Sequence, residues 1–174
     1  MYMTQIPHRC PALPRAAAWA GLVLCILCGP TLAQRPATTP PPQVPPVLGV
    51  WIDHTGRGAI EIAQCGAMLC GRIVWTKDTV DPKGQPLRDT LNPDKTKRGQ
   101  PICGLQIIGN VKAQRDGTWD EGWIYDPEKG EEFSVELALR QTDVLQVKGY
   151  MGMKFLSETF TWRRAPADQQ RCIT

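Results

Sequence analysis

Histidine is scarce in this chain of 174 residues: only two occur, and only His54 lies beyond the N-terminal segment. Asp53 precedes it directly, but neighbouring side chains of an extended strand point to opposite faces, so the two cannot form a catalytic dyad. Gly-rich phosphate-binding loops are absent, and the spacing of Asp78, Asp81 and Asp94 matches no calcium-binding loop. We therefore expect no enzymatic activity, no cofactor and no metal site.

Long hydrophobic runs are also lacking. The apolar run near the N-terminus, Ala16 to Leu27, falls short of the ~20 residues that a membrane-spanning helix needs. Residues 1–33 contain basic but no acidic residues and end in a small-residue pattern at Ala33. This arrangement predicts a secretory signal peptide over 1–33 that is cleaved after Ala33, with no membrane span in the mature chain. The expected location is periplasmic or secreted.

Excess charge of one sign is missing too. The formal net charge is +3, and loss of Arg9 and Arg15 with the signal peptide would leave +1. A net charge of +1 is too small to attract nucleic acid or anionic lipid by long-range electrostatics. A nucleic-acid partner is therefore not expected.

No segment has a sustained helical periodicity of apolar residues. Short alternating or apolar runs recur instead, separated by turn residues such as Asp116-Gly117. Strands are predicted near residues 49–53, 58–64, 69–76, 104–111, 118–125, 131–140, 143–150 and 157–164. Eight strands with short, mostly antiparallel connections predict an all-β fold, either an up-and-down barrel or a sandwich. An eight-stranded barrel has room for its own side chains or for one small ligand.

The chain divides into four parts by composition. The signal peptide is followed by a Pro-rich linker over 34–47, which is typical of an extended spacer without a core. A single β-domain is expected over 48–164, and 165–174 forms a C-terminal tail. About 117 residues suffice for one modest hydrophobic core.

Four cysteines remain after signal cleavage: Cys65, Cys70, Cys103 and Cys172. Four cysteines permit three disulfide pairings, of which we prefer Cys65–Cys70 with Cys103–Cys172. The first pair flanks the tip of a predicted β-hairpin and closes a short loop, and the second closes roughly 70 residues. A zinc site is a poorer explanation, because the mature chain has a single histidine and no C-x-x-C pair.

The segment 77–103 is unusually long for a connection between strands, and such loops are often lids or binding loops. Its polar groups make it the preferred site, with Arg88, Asp89 and Asn92 as candidate ligand-binding residues. Tyr125, the last residue of the fifth predicted strand, and Asp126, in the turn that follows, complete the candidate set. The alternative is that the carboxylates of the loop only cap turns of their own backbone.

The two ends of the predicted domain carry a weak motif. Gly49-Val50-Trp51 opens the first strand, and Arg163 lies near the end of the last. This is similar to lipocalin-like barrels, in which a Gly-x-Trp on the first strand packs near a basic residue of the last strand. The resemblance implies a structural cation–π contact between Trp51 and Arg163 that closes one end of an eight-stranded, lipocalin-like barrel.

Several sequence blocks together resemble a bacterial secreted family, the domain of unknown function 2147. The blocks are GVWIDHTGRGAIEIAQCGAMLCGRIVW, PLRDTLNPD, PICGLQII, GWIYDPEKGEEFSVELAL and TFTWRR. The resemblance covers nearly all of 48–164 and implies a small exported, lipocalin-like β-barrel with no established activity. The chain departs from the pattern at Gly149-Tyr150, where relatives often carry a cysteine after the glycine.

Two hypotheses about function follow. The first is a non-catalytic binding module for a small apolar or amphipathic ligand, with the 77–103 loop as its lid. The second is a structural or interaction protein of the cell envelope whose barrel is filled by side chains. The aromatic residues that would either line the cavity or fill the core are Trp75, Trp119, Trp123, Tyr125 and Phe133. An open apolar cavity would favour the first hypothesis, and a filled barrel with an exposed patch would favour the second.

Overall fold

The computed structural model describes residues 45–172, and these residues form one β-barrel. Its strands are β1 (Gly49–Ile52), β2 (Gly58–Cys65), β3 (Met68–Thr76), β4 (Gln106–Ala113), β5 (Trp119–Asp126), β6 (Glu131–Gln141), β7 (Val144–Tyr150) and β8 (Ser157–Arg164). A 3₁₀ turn at Lys95–Lys97 is the one helical element within the described residues. The predicted all-β class is confirmed, and every predicted strand overlaps an observed one.

The strands follow one another around a closed barrel in the order of the sequence. Every neighbouring pair is antiparallel, and β8 pairs back onto β1 through Trp51↔Arg164 and Ile52↔Arg163. The fold is therefore the eight-stranded antiparallel up-and-down barrel rather than the sandwich. Closure leaves no unpaired sheet edge, which is why such a short β1 is tolerated at the seam.

Alternating burial explains why these segments form strands with one face inside the barrel. In β6, Val135 and Leu137 are fully buried, whereas Glu136 between them is only partly buried. Leu145 and Val147 repeat this pattern in β7, where they face the same core. Because side chains alternate along a strand, a register shift of one residue would expose this core, so the pattern fixes the pairing.

One end of the barrel is closed by Trp51 and Arg164. The guanidinium carbon of Arg164 lies 4.1 Å from the centre of the Trp51 ring, and its Nε donates to the Thr142 carbonyl at 2.8 Å. Gly49 lies beside this contact at φ +119°, and a Cβ there would come within 2.9 Å of the Arg164 guanidinium. The close approach explains the glycine of the Gly-x-Trp motif.

The prediction that Arg163 would contact Trp51 is wrong by one residue. Arg163 is the neighbour of Arg164 in β8, and successive side chains of a strand point to opposite faces. Arg163 is consequently exposed on the outside of the barrel, whereas Arg164 is partly buried against Trp51. The sequence motif placed the contact at the correct ends of β1 and β8, but it selected the arginine on the outer face of β8 instead of the one on the inner face.

Both disulfides are present in the pairing that the sequence favoured. Cys65–Cys70 spans the β2–β3 hairpin, and Cys103–Cys172 joins the end of the long loop to the C-terminal tail. The tail is held at two further points. The Cys172 N–H donates to the Val74 carbonyl at 2.6 Å, and Arg171 forms a 2.7 Å ion pair with Glu61.

The loop between β3 and β4 is ordered by short-range contacts rather than left without structure. Two isolated β-bridges, Val80↔Pro86 and Arg88↔Pro101, tie it to itself. Asp94 caps the 3₁₀ turn by accepting a 2.9 Å hydrogen bond from the Thr96 N–H, and its bonds to Thr96 lower the pKa of Asp94. The alternative prediction, that carboxylates of the loop cap turns of their own backbone, is therefore correct for Asp94.

The predicted signal peptide and most of the predicted Pro-rich linker lie outside the described residues, and both remain predictions. Between residues 45 and 172, no helix is long and apolar enough to cross a membrane.

Candidate functional site

The end of the barrel opposite Trp51 opens into a cavity of about 1410 Å³. In an up-and-down barrel, alternate connections lie at the same end, and the β1–β2, β3–β4, β5–β6 and β7–β8 connections all contribute to this cavity. Its apolar wall is formed by strand residues that include Ile60, Ile73, Ile107, Ile124, Val147, Phe160 and Trp162. The barrel is therefore not filled by its own side chains at this end.

The rim of the cavity is charged, and most of its cations are paired. Arg57 lies 3.3 Å from Asp78 and 3.6 Å from Glu128, and Lys129 lies 3.6 Å from Asp126. These pairs join the β1–β2, β3–β4 and β5–β6 connections across the rim. Since all are substantially exposed, each contributes little to stability.

The β7–β8 connection adds an apolar side to the opening. Met151, Phe155 and Leu156 line the cavity and are also 66%, 74% and 59% exposed. Met153, in the same connection, is 59% exposed. Exposed apolar side chains that are contiguous with a cavity are typical of a ligand entrance.

The long loop is fastened to the barrel by a buried polar network. The Tyr125 hydroxyl donates to one oxygen of Asp89 at 2.6 Å, and the Asn92 amide donates to the other at 2.6 Å. Asp89 is fully buried and Asn92 is 8% exposed. Burial, together with the hydrogen bond to Asp89, raises the pKa of Tyr125, so the phenol is a neutral donor over the physiological pH range.

Gly130 makes this attachment sterically possible. It adopts φ +70°, and a Cβ at this position would overlap the carbonyl oxygen of Leu91. Glycine therefore lets the β5–β6 turn lie directly against the long loop.

The predicted ligand-binding residues fall into two groups. Arg88, Tyr125 and Asp126 line the cavity. Asp89 and Asn92 do not line it, because their side chains are turned into the network beneath the loop. The sequence did not distinguish residues of the loop that face the cavity from those that anchor the loop.

The predicted aromatic lining was only partly correct. Tyr125 and Phe133 line the cavity, whereas Trp75 and Trp119 do not, and Trp123 borders a smaller depression of about 290 Å³. Phe160 and Trp162 of β8 were missed, although their spacing of two residues is the signal that places both on the inner face.

His54 also reaches the cavity, where its ring stacks on Phe160 with 4.2 Å between ring centres. Among the described residues, no hydrogen bond joins His54 to a hydroxyl or a carboxylate. The imidazole ring of His54 therefore forms part of the aromatic lining at the opening of the cavity.

Trp162 carries an unusual polar group. The side chain is 96% buried, and its indole Nε1 has no hydrogen-bond partner among residues 45–172. Buried indole N–H groups usually find an acceptor, and leaving one unpaired costs about 1–3 kcal/mol. The indole ring lines the cavity, but its Nε1 atom is buried in the protein and is not exposed to the cavity.

A second charged cluster, not anticipated from the sequence, lies at the base of the β7–β8 connection. Asp120 accepts hydrogen bonds from Tyr150, at 2.8 Å, and from Lys154, which also contacts Glu136. Burial opposes the ionisation of Asp120, but the hydrogen bonds from Lys154, the Glu121 N–H and Tyr150 outweigh it and lower the pKa of this carboxyl. The hydrogen bonds to Asp120 and Glu136 raise the pKa of Lys154. The ion pair of Lys154 with Asp120 therefore persists at neutral pH and fixes the apolar connection.

Comparison with solved structures identified a Helicobacter pylori protein, HP1028, described as belonging to the lipocalin family. The two share 17% sequence identity with a TM-score of 0.61, over 70% of this chain and 84% of the other. At this identity, the similarity shows a shared fold and nothing about a shared ligand. A search of curated proteins found no match.

Residues 49–164 match the model of a family described as uncharacterized proteins conserved in bacteria, DUF2147. The matched segment runs from the first residue of β1 to the last residue of β8, so it contains the complete barrel. This lipocalin-like barrel with an open apolar cavity therefore belongs to the DUF2147 family.

Proposed function

We propose that this protein is an exported, non-catalytic binding module that holds a small apolar or amphipathic ligand inside its barrel. The observation that carries the proposal is the open cavity of about 1410 Å³ with an apolar wall. A cavity of this kind, with a few polar groups at defined positions, is the usual form of a small-molecule site. The alternative function, an envelope interaction protein with a filled barrel, predicts no such space.

The distribution of polar groups supports an amphipathic ligand. The walls at the level of Ile60, Ile73 and Ile107 are apolar, and the charged residues lie at the rim. A ligand in this cavity would bury its apolar body among the isoleucines and leave its polar end near the ion pairs of Arg57.

The same residues argue against catalysis. Nucleophilic catalysis needs a nucleophile within hydrogen-bond reach of a base that is itself oriented. His54 and Ser157 both line the cavity, but within the described part of the chain no hydrogen bond links them. Asp53 is occupied by its own turn, where it accepts from the Thr55 hydroxyl at 2.7 Å.

Export rests on a separate set of observations. One disulfide forms within the barrel and a second joins it to the C-terminal tail, and disulfides persist in oxidising compartments. The predicted signal peptide supplies the route. We propose a periplasmic or secreted location on these grounds.

A neutral apolar dye tests the binding function. N-phenyl-1-naphthylamine fluoresces strongly when it leaves water, so titration into the folded protein should give a saturable signal with about one site. Ile107→Trp places a larger side chain in the cavity and should abolish the signal. Native mass spectrometry of protein purified from an oxidising compartment would also reveal a co-purified ligand.

Leu91→Trp is the matched control, because Leu91 is 53% exposed and does not line the cavity. This variant should bind the dye as the wild type does. Absence of saturable binding by folded wild type, or equal binding by the Ile107 variant, would refute the proposal.

A further inference from the structure

The cavity has a local excess of negative charge. Six carboxylates line it, Asp53, Asp78, Asp81, Asp126, Glu128 and Glu158, against only Arg57, Arg88 and Lys129. Acids thus outnumber arginine and lysine by three at the opening, although the formal net charge of the whole chain is +3. The excess belongs to this site and is not a property of the whole protein.

Ion pairing does not remove the excess. Arg57 is shared between Asp78 and Glu128, and Lys129 is paired with Asp126. Asp81 accepts hydrogen bonds from the backbone N–H groups of Lys83 and Gln85, and these neutral donors do not cancel its charge. Among residues 45–172, Glu158 has neither an ion pair nor a side-chain hydrogen bond.

The lining is also rich in aromatic side chains, which is an independent feature. Tyr125, Phe133, Tyr150, Phe155, Phe160 and Trp162 all contribute to the cavity. The face of an aromatic ring carries negative charge density and attracts organic cations, above all quaternary ammonium groups. The carboxylates and the ring faces therefore favour the same sign of ligand charge.

We propose that the ligand of this cavity is an amphipathic cation, an organic ammonium with an apolar body. This inference rests on the proposed binding function and specifies its ligand class. The ammonium group lies at the opening, among the acidic rim and the aromatic side chains, and the apolar body extends toward Ile60 and Ile107. An anionic amphiphile of the same length meets the excess of carboxylates and binds less tightly.

Three amphiphiles with the same decyl chain separate charge from hydrophobicity: decyltrimethylammonium, decanol and decanoate, each below its micelle concentration. Each is used to displace N-phenyl-1-naphthylamine from folded wild type. At low ionic strength, we expect the cation to bind about tenfold more tightly than the anion, with decanol between them. Added salt should narrow this difference, because the rim charges are exposed and screened.

Two variants, each lacking one carboxylate, test whether the preference for the cationic amphiphile originates at the rim of the cavity. Glu158→Gln should reduce the ratio of cation to anion affinity by about twofold, since it removes one unpaired rim charge. Asp143→Asn removes the same charge from the β6–β7 turn, at the closed end of the barrel, and should leave the ratio unchanged. Circular dichroism establishes that both variants and the amphiphile complexes remain folded.

The outcomes distinguish this inference from the proposed function. Displacement by decanoate equal to or stronger than that by decyltrimethylammonium would overturn the inference and leave the binding function intact. Equal effects of the two variants would overturn the role of the rim. Failure of the dye and of all three amphiphiles to bind would overturn both proposals.

Discussion

The hydroxyl of Tyr125 donates a 2.6 Å hydrogen bond to Asp89, a residue 36 positions earlier in the chain. This bond joins β5 to the long β3–β4 loop, and Asp89 is fully buried at the junction. Arg88, which directly precedes Asp89 in the chain, lines the cavity. The network thus holds one side of the cavity in place, and it links the stability of the loop to the shape of the site.

Replacement of Tyr125 by Phe should destabilise the protein by about 1–3 kcal/mol, because it leaves a buried carboxylate short of one donor. Urea denaturation measures the loss, and trypsin cleavage at Lys95–Lys97 should become faster as the loop loosens. A double-mutant cycle with Asp89→Asn should give a coupling energy above about 0.5 kcal/mol. Additive effects of the two substitutions would show that the bond does not stabilise the loop.

The two disulfides should contribute unequally to stability. Cys103–Cys172 has a sequence separation of 69 and Cys65–Cys70 a separation of 5. The loop-entropy relation assigns them about 4 and about 2 kcal/mol. Each disulfide can be removed by replacing both of its cysteines with Ser. Under oxidising conditions, the variant without Cys103–Cys172 should have a lower melting temperature than the variant without Cys65–Cys70. A larger loss for the hairpin pair would contradict this expectation.

Arg164 and Arg163 form a matched pair for testing the closed end of the barrel. Arg164→Gln removes the cation–π contact with Trp51 and the hydrogen bond to Thr142, and should cost about 1–2 kcal/mol. Arg163→Gln alters an exposed side chain and should change stability by less than about 0.5 kcal/mol. Equal losses in chemical denaturation would argue against the assignment of Arg164 to the contact.

Asp120 should make the protein sensitive to acid. Its pKa is lowered in the folded state, so its contribution is complete above its unfolded pKa of about 4 and is lost as pH falls through the folded value. Asp120→Asn should be less stable than wild type at neutral pH, and the gap should narrow below about pH 4. Asp143→Asn, the control, should follow the wild-type curve. An Asp120→Asn curve that stays parallel to wild type down to about pH 2 would refute this role.

The strands and the turns between them were predictable because their signals are local. Alternation in β6 and β7, the turn at Asp116-Gly117 and the cysteines at the β2–β3 tip each depend on residues within a few positions. The preferred loop, 77–103, was selected for its length and its polar groups. Phe160 and Trp162 of β8 were missed, because alternation gives a strand two faces without showing which one lies inside the barrel.

The all-β class, the eight strands, the preferred cysteine pairing and the family pattern could all be read from the amino-acid sequence. The three-dimensional fold was needed to show that Asp89 contacts Tyr125 rather than the cavity, and that Arg164 rather than Arg163 contacts Trp51. The reason is physical: periodicity gives a strand two faces, but the closure of the barrel and the packing of the long loop select which groups meet. The cavity and its excess of carboxylates likewise exist only because four connections, distant in sequence, converge at one end of the barrel.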